Sequence, residues 1–380
     1  VEGPVPEDKP AEHRRRPRYP GRNPQRFDQR YKELAPQSYP EIHAHIRAQG
    51  RTPAGTHVPV LLAEALAALN PSPGEIVVDC TLGYGGHAAA FLERILPGGR
   101  LIGLDVDGVE LQRTRCRLEA DLGSRADRLH DLPPMAGSPA ASAPPGGSPG
   151  GAVSVHACNF AGIAKVLRAE SLAGFDIVFA DLGVSSMQVD DPQRGFSYKH
   201  DGPLDMRMSS HRRTAAEILE SITEEGLAAA LRQLGDEPDA EAIARLLVER
   251  RARQPLSRTG QVVRLILEAK GLAATHAGEH GRHPAALAFQ ALRILVNDEL
   301  GCLAQLLRDA PHCLQPGGRL GIISYHSGED RLVKHALRAG LRSGAYAAVA
   351  SGPIRATAQE NRANPRSAAA KLRWARAPGA

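Results

Sequence analysis

Glu75-Ile-Val-Val-Asp79-Cys-Thr-Leu-Gly83-Tyr-Gly85-Gly86-His87 is the stretch that decides how the rest of this chain is read. Three consecutive β-branched residues, Ile76 to Val78, suit a strand buried on both faces, as in a parallel sheet. The run ends in an acid, and a glycine-rich turn opens into an alanine-rich helical pattern from Ala88 to Leu96. Glycines at a strand's end let a ligand approach the backbone and set helix N–H groups beside it. The spacing is Gly-x-Gly-Gly and not Gly-x-Gly-x-x-Gly. A nucleotide-type site and a tight structural turn therefore stand as alternatives.

Further strands follow. Arg100-Leu-Ile-Gly-Leu-Asp105 ends in an acid roughly two dozen residues after Asp79, close to where a ribose-binding carboxylate belongs; Asp105 reads equally as a cap for the next helix. NAD enzymes and S-adenosylmethionine enzymes share this arrangement. A third strand, Val153 to His156, leads to Phe160, which reads either as a neighbour of an adenine ring or as core. A fourth, Phe175 to Asp181, puts an acid where doubly wound folds hold their substrates. A late strand, Arg319 to Ser324, reads as sixth-position-like and ends in His326, Glu329 and Asp330.

The chain has 380 residues, and 42% hydrophobic with only 4% aromatic content predicts a core built from aliphatic side chains. The net charge of +5, carried mostly by arginine, favours an anionic partner, and arginine suits phosphate by geometry. Five scattered cysteines read as free thiols of a reducing compartment. No stretch is apolar enough to span a membrane and no hydrophobic signal core is present, which points to a cytosolic protein without a membrane partner.

Residues 1–56 form a basic, Pro/Arg-rich extension. It reads as a solvated tail, as an arm on RNA with Tyr19, Phe27 and Tyr31 for stacking, or as an organellar presequence, against which Asp8, Glu12 and Asp28 count. Residues 131–151 are of low complexity and are expected to be a disordered loop. Residues 209–283 read as an inserted all-helical domain, with Thr214, Asp239 and Ser257 as N-caps and Gly235 and Gly271 as stops. The α/β domain would then comprise 57–208 and 284–380, ending in a basic C-terminal tail. A single helix from Ala285 to Leu307 places Gln290, Arg293 and Asn297 on one face, toward the cleft or toward water.

Several motifs occur in a fixed order: Gly85-Gly86-His87, Asp181-Leu-Gly-Val-Ser-Ser-Met-Gln188, Arg194-Gly-Phe-Ser197, Asp201-Gly-Pro-Leu-Asp205-Met-Arg-Met208, Phe289-Gln-Ala-Leu-Arg-Ile294, Val296-Asn-Asp-Glu299 and Asn364-Pro-Arg-Ser367. With His57-Val-Pro they closely resemble the RsmH (MraW) family, S-adenosylmethionine-dependent methyltransferases acting on the N4 amino group of a cytosine in small-subunit (16S) ribosomal RNA. The resemblance runs from His57 to Trp374, interrupted by 131–151. It implies an α/β, Rossmann-like class I methyltransferase fold with a helical insertion. It also implies S-adenosyl-L-methionine as cofactor, small-subunit ribosomal RNA within a 30S particle as partner, and a cytoplasmic location, or an organelle matrix in a eukaryote.

The family's cofactor positions carry over onto Gly85, Gly86, His87, Asp105, Phe160, Asp181 and Gln188; no metal is implied. Asp105 would hold the ribose and Phe160 would border the adenine, while Asp181 and Gln188 would ring the sulfonium and the amino group. Asp181 is also the expected catalytic acceptor for the N4 proton. A neighbour on Leu182–Ser186 is the alternative, because Asp-Leu-Gly-Val stands where other amino-methyltransferases carry a Pro-Pro tetrapeptide. His326, Glu329 and Asp330 form a second candidate cluster or an ordinary hydrogen-bonded turn. Arg194, Arg207, Arg331, Lys334, Arg366, Lys371 and Arg373 are candidates for RNA phosphates, or for solvent and internal ion pairs. The chain departs from the family pattern at Tyr325, where Phe is common, at Gly328, where Leu is common, and in a short segment after Asp330. A nicotinamide-dependent oxidoreductase and a non-catalytic RNA-binding assembly factor are the competing readings.

Overall fold

The computed structural model describes residues 59–130, 152–184, 188–189, 191–273 and 283–379, all within the second of the chain's two units, Thr56–Ala380. The extension 1–56 and the loop 131–151 lie outside the described residues. The strand read from the opening stretch is β1 (Ile76–Asp79). It runs parallel to β2 (Arg100–Asp105) on one side and β4 (Phe175–Asp181) on the other, with Val77 opposite Leu101 and Ile177. β3 (Val153–Ala157) flanks β2, and β5 (Leu314–Ser324) flanks β4. With β6 (Ala348–Val349) and β7 (Lys371–Arg376) the seven-stranded order is β3-β2-β1-β4-β5-β7-β6, and β7 is antiparallel to both its neighbours.

Two corrections come from this sheet. The late strand read as sixth-position-like is β5, paired directly with β4. The expected basic C-terminal tail instead supplies an inner strand. Leu372 and Ala375 of β7 are fully buried, and Arg373 is neutralised by Asp330 at 2.7 Å.

Alternate side chains of the central strands enter opposite layers. Val78, Ile102 and Val178 pack on one face with Leu303, Leu306 and Leu337; Val77, Leu101 and Ile177 pack on the other with Leu69, Phe91 and Phe179. Each fully buried aliphatic side chain contributes roughly 1.5–3 kcal/mol, so both faces of the sheet are closed. The covering helices include α1 (Leu62–Leu69), α2 (Gly86–Ile95), α3 (Gly108–His130) and α4 (Ile163–Ala169).

Between β4 and β5 lie α5 (Ala215–Ser221), α6 (Glu224–Gly235), α7 (Ala240–Arg251), α8 (Thr259–Ala269), α9 (Ala286–Asn297) and α10 (Glu299–Cys313). Thr214 caps α5 through a reciprocal bond with Glu217, and Gly271 takes a positive φ of 66° just past α8. Asp239 precedes α7, but its carboxylate goes to Lys270 instead of the helix; Arg258, not Ser257, precedes α8. The helices share a separate core of Leu227, Leu231, Ile243, Leu247, Val262 and Ile266. Phe196, Leu204 and Met206 enter it from before the helices, and Phe289 and Leu292 from α9.

The single helix expected from Ala285 to Leu307 is broken at Asp298, whose φ of 49° ends α9 and starts α10. Aspartate tolerates this left-handed conformation better than most residues. The break lets α9 belong to the insert's core while Leu303 and Leu306 of α10 pack on the sheet.

The polar face of α9 is half-buried at Gln290 and Arg293 and is spent on internal partners. Asn297 is buried, donating to Met206 O (2.8 Å) and Arg293 O (2.9 Å) and accepting from Met208 N (2.8 Å). Arg293 grips Glu299 through two bonds of 2.8 Å. Met206 itself has a φ of 61°, so Asn297 holds a strained backbone in place. Replacing Asn297 with Ala strands two buried backbone groups, and urea denaturation should register a loss of roughly 1–3 kcal/mol. A change within a few tenths of a kcal/mol would mean that Asn297 is dispensable.

Candidate active site

Asp79, Asp105 and Asp181 end β1, β2 and β4, so three acids line one edge of the sheet. The strand order reverses between β1 and β4, and in doubly wound sheets the crevice outside that switch point is where ligands bind. Thr81 ties the two strand ends together. Its amide donates to Asp79 Oδ1 (3.0 Å), and its hydroxyl accepts from the Asp181 amide (2.7 Å).

The glycine turn is built for close approach. Gly83 N donates to Asp105 Oδ2 (2.8 Å), and Thr114 Oγ1 donates to Gly83 O (2.6 Å). Gly85 has a φ of 75°, and a Cβ there would sit 2.7 Å from Thr114 Cγ2, so glycine is required on both counts. α2 then begins at Gly86, and its first-turn amides, unpaired within the helix, open on the acid-lined edge. Asp105 does not cap the next helix: its Oδ1 accepts from Asp107 N (2.9 Å), and it is Asp107 that accepts from Glu110 N in the first turn of α3. An ionised carboxylate offers about four lone-pair positions, which leaves acceptor capacity for hydroxyl groups.

His87 is buried against Phe179, with ring centroids 4.7 Å apart. Its Nε2 lies 3.0 Å from Val60 O, and its Nδ1 lies 3.7 Å from Asp181 Oδ2. Burial pushes its pKa down to about 4 against the opposing Val60 bond, so the ring is neutral at pH 7. With Nε2–H donating to Val60, the Nδ1 lone pair faces the carboxylate. Two electron-rich atoms face each other there, and a proton or a cation between them relieves the repulsion.

The acids respond in the same sense. Burial raises Asp181 to about 7; Asp79 and Glu329 add to the rise, and a 2.7 Å bond from the Tyr325 hydroxyl opposes it. Burial also raises Asp79 to about 7, with Asp105 adding and the Thr81 bonds opposing. Asp105 moves upward as well, again chiefly through burial. Tyr325, raised by burial and by Asp181, stays a protonated donor. The Asp181 side chain keeps 23% of its surface exposed, so a ligand can reach it.

The structure thus brings Gly85, Gly86, His87, Asp105 and Asp181 to one place. Phe160 follows β3 in a short 3-10 turn, half-buried and packed on the core that contains Val78 and Ile102. Gln188 is half-buried just beyond residues 185–187, which lie outside the described residues. Val184 and Val189 on either side pack against the core of the inserted helices.

Sequence reasoning gave Asp79, Thr81 and Tyr325 no role here. The signal for Asp79 was its repetition of the pattern seen in Asp105 and Asp181, an acid closing an apolar run. Tyr325 was visible only as a departure from the family pattern. The cluster of His326 and Glu329 is the turn alternative. Glu329 Oε2 accepts from Tyr325 N (2.8 Å), and the two side chains close the cap of the helix that begins at Ser327. Glu299 lies close to both, but its oxygens are taken by Arg293. Four of the candidate RNA-binding cations are spent internally: Arg194 on Asp107, Arg207 on Asp205, and Lys371 and Arg373 on Asp330.

The sheet order, the glycine turn and the acids at the switch point define a Rossmann-like methyltransferase with a helical insertion. More narrowly, the chain belongs to the MraW methylase family, whose model matches residues 54–131 and 150–377. It is 37% identical over 96% of its length to ribosomal RNA small subunit methyltransferase H 1 of Agathobacter rectalis, covering 97% of that protein. It is 40% identical to ribosomal RNA small subunit methyltransferase H of Symbiobacterium thermophilum, over 83% of this chain and 95% of the relative. The counterpart in Heliobacterium modesticaldum is also 40% identical, over 84% of this chain and 97% of the relative. The chain is accordingly an enzyme, an S-adenosylmethionine-dependent methyltransferase.

An acid whose pKa is raised by folding stabilises the fold fully below its unfolded pKa. That contribution is lost as pH rises toward the folded value, here between about 4 and 7 for Asp79. Asp79→Asn should therefore raise the Tm of the cofactor-free protein by on the order of 5 °C at pH 8 and leave it unchanged near pH 4. An equal shift at both pH values would contradict the assignment.

Proposed function

We propose that this protein transfers a methyl group from S-adenosylmethionine to the N4 amino group of a cytosine in small-subunit ribosomal RNA, presented within a 30S particle. The observation that carries the chemistry is the Asp181 carboxylate, desolvated at the switch point and facing the His87 lone pair at 3.7 Å. That arrangement suits a cationic ligand and gives a neutral one no advantage. The match to the small-subunit methyltransferases over nearly the whole chain supports the substrate.

The residues present fit the donor. Asp181 and Asp79 offer charge to a sulfonium and an ammonium, and Gln188 stands on the same loop. Asp105 has acceptor sites left for ribose hydroxyls, Phe160 offers an apolar face to adenine, and the α2 amides suit a carboxylate. S-adenosylmethionine supplies an electrophilic methyl carbon on sulfur.

The chain's own part is positioning and proton handling. Holding the base in line with the methyl–sulfur bond supplies much of the acceleration. The target cytosine must leave its stack to enter. Asp181 then accepts a hydrogen bond from the N4 amino group, which makes the nitrogen more nucleophilic, and would take its proton as the N–C bond forms and the methyl–sulfur bond breaks, the electron pair leaving with sulfur as a neutral thioether. Tyr325 keeps one oxygen of Asp181 fixed by donating to it, leaving the other for this work.

Among the described residues no helix is long and apolar enough to cross a membrane. The five cysteines, all unbridged, support a cytoplasmic setting. The test is incubation with S-adenosylmethionine and small-subunit particles, followed by nucleoside mass spectrometry. N4-methylcytidine is the expected product, and Asp181→Asn should lower its rate by about 10²–10⁴-fold. Methyl on ring carbon C5 would overturn the amine chemistry. No product, with S-adenosylhomocysteine still bound, would leave a non-catalytic assembly role.

A further inference from the structure

The helix after β5, α11 (Ser327–Ser343), leaves the sheet directly beyond Tyr325, whose hydroxyl holds Asp181. Its first turn therefore stands beside the site. Its inner side is fully used. Val333 and Leu337 are buried in the sheet core, Glu329 is buried under the Tyr325 amide, and Asp330 takes both Lys371 and Arg373.

The outer side is of one sign. Arg331, Lys334, His335, Arg338 and Arg342 recur at helical spacing, opposite Val333 and Leu337. Arg331, His335, Arg338 and Arg342 are exposed and Lys334 is partly so. The helix's only acids, Glu329 and Asp330, are the two turned inward. Among the described residues none of the four lysine and arginine side chains forms an ion pair, unlike Arg194, Arg207, Lys371 and Arg373. Like charges one turn apart weaken an isolated helix. A polyanion with regularly repeating charge removes that repulsion.

We propose that this face of α11 is the track for the phosphate backbone of the single-stranded RNA next to the target base. The inference deepens the reading above and rests on an RNA substrate. The row from Arg331 to Arg342 is about 16 Å long, with successive cations about one 5.4 Å turn apart. It starts at the acid-lined edge and runs back along the outside of the layer. Arginine's planar fork matches phosphate oxygens. Contacts of this kind fix position and register without reading bases, so the helix orients the strand and leaves base selection to the pocket.

The test compares two variants with the wild-type chain. One is Arg331→Gln/Lys334→Gln/Arg338→Gln/Arg342→Gln. The other, Arg94→Gln/Arg168→Gln, removes cations from the last turns of α2 and α4, which lie toward the opposite edge of the sheet. A short single-stranded oligoribonucleotide carrying the target cytosine is titrated at several salt concentrations. Affinity for S-adenosylhomocysteine and thermal melting are measured alongside.

The α11 variant should bind RNA at least about tenfold more weakly at low salt. Its log–log salt slope should be shallower by about 3, near 0.7 for each lost contact, with cofactor affinity and melting unchanged. The control should keep the wild-type slope. An unchanged slope in the α11 variant, or an equal loss in the control, overturns the proposal. If wild-type protein makes N4-methylcytidine while the α11 variant binds RNA normally, only the track fails. If the wild type neither binds RNA nor makes that product, the proposed function fails with it.

Discussion

Negative charge held out of water at the carboxyl edge of the sheet is the constraint on which the site depends. Asp79, Asp105 and Asp181 arrive there because three neighbouring parallel strands end in acids, and the packed layers that stabilise the sheet also desolvate them. An isolated buried carboxylate is costly, and it responds by taking a proton or a counter-charge. The site is therefore poised between two occupants of the same electrostatic role. His87 sharpens the choice by presenting a lone pair to Asp181, and the Tyr325 hydroxyl keeps the carboxylate from turning away. A ligand carrying positive charge at that point gains what the fold has given up.

The inserted helices serve the same edge from the other side. They have a core of their own, yet Asn297 and the Arg293–Glu299 pair fasten their base to the Met206–Met208 backbone and to the start of α10. The break at Asp298 is what allows one continuous helical sequence to serve two cores. Beyond Asp181, Val184 and Val189 pack against the core of the insert. A rigid sheet edge and a helical module thus meet through short, heavily hydrogen-bonded segments.

Much of this was legible in the sequence because period and punctuation are local properties. Ile76-Val-Val-Asp79 announced a buried parallel strand, Gly85 its turn, and Thr214 a helix start. The likeness to known methyltransferases supplied His87 and Gln188, which no spacing rule would have chosen. What stayed hidden depended on partners distant in sequence. Tyr325 meets Asp181 across 144 positions, Asn297 meets Met206 across 91, and Arg373 meets Asp330 across 43. Lys371 and Arg373 stood as candidates for RNA phosphates, for solvent or for internal ion pairs, and only the position of their strand beside Asp330 decides for the pairs. The break at Asp298 was missed for a related reason, since the apolar period continues through it unaltered.

The account turns on a proton being exchanged for a cation at Asp181 and its neighbours. The direct measurement is calorimetric titration of S-adenosylmethionine into the protein at about pH 6.5, where the ligand's own amino group stays protonated, in two buffers of different ionisation enthalpy. The observed heat should depend on the buffer, reporting net proton release, and Asp181→Asn should reduce that dependence, leaving the share of Asp79. Equal heats in the two buffers, with binding intact, would contradict it.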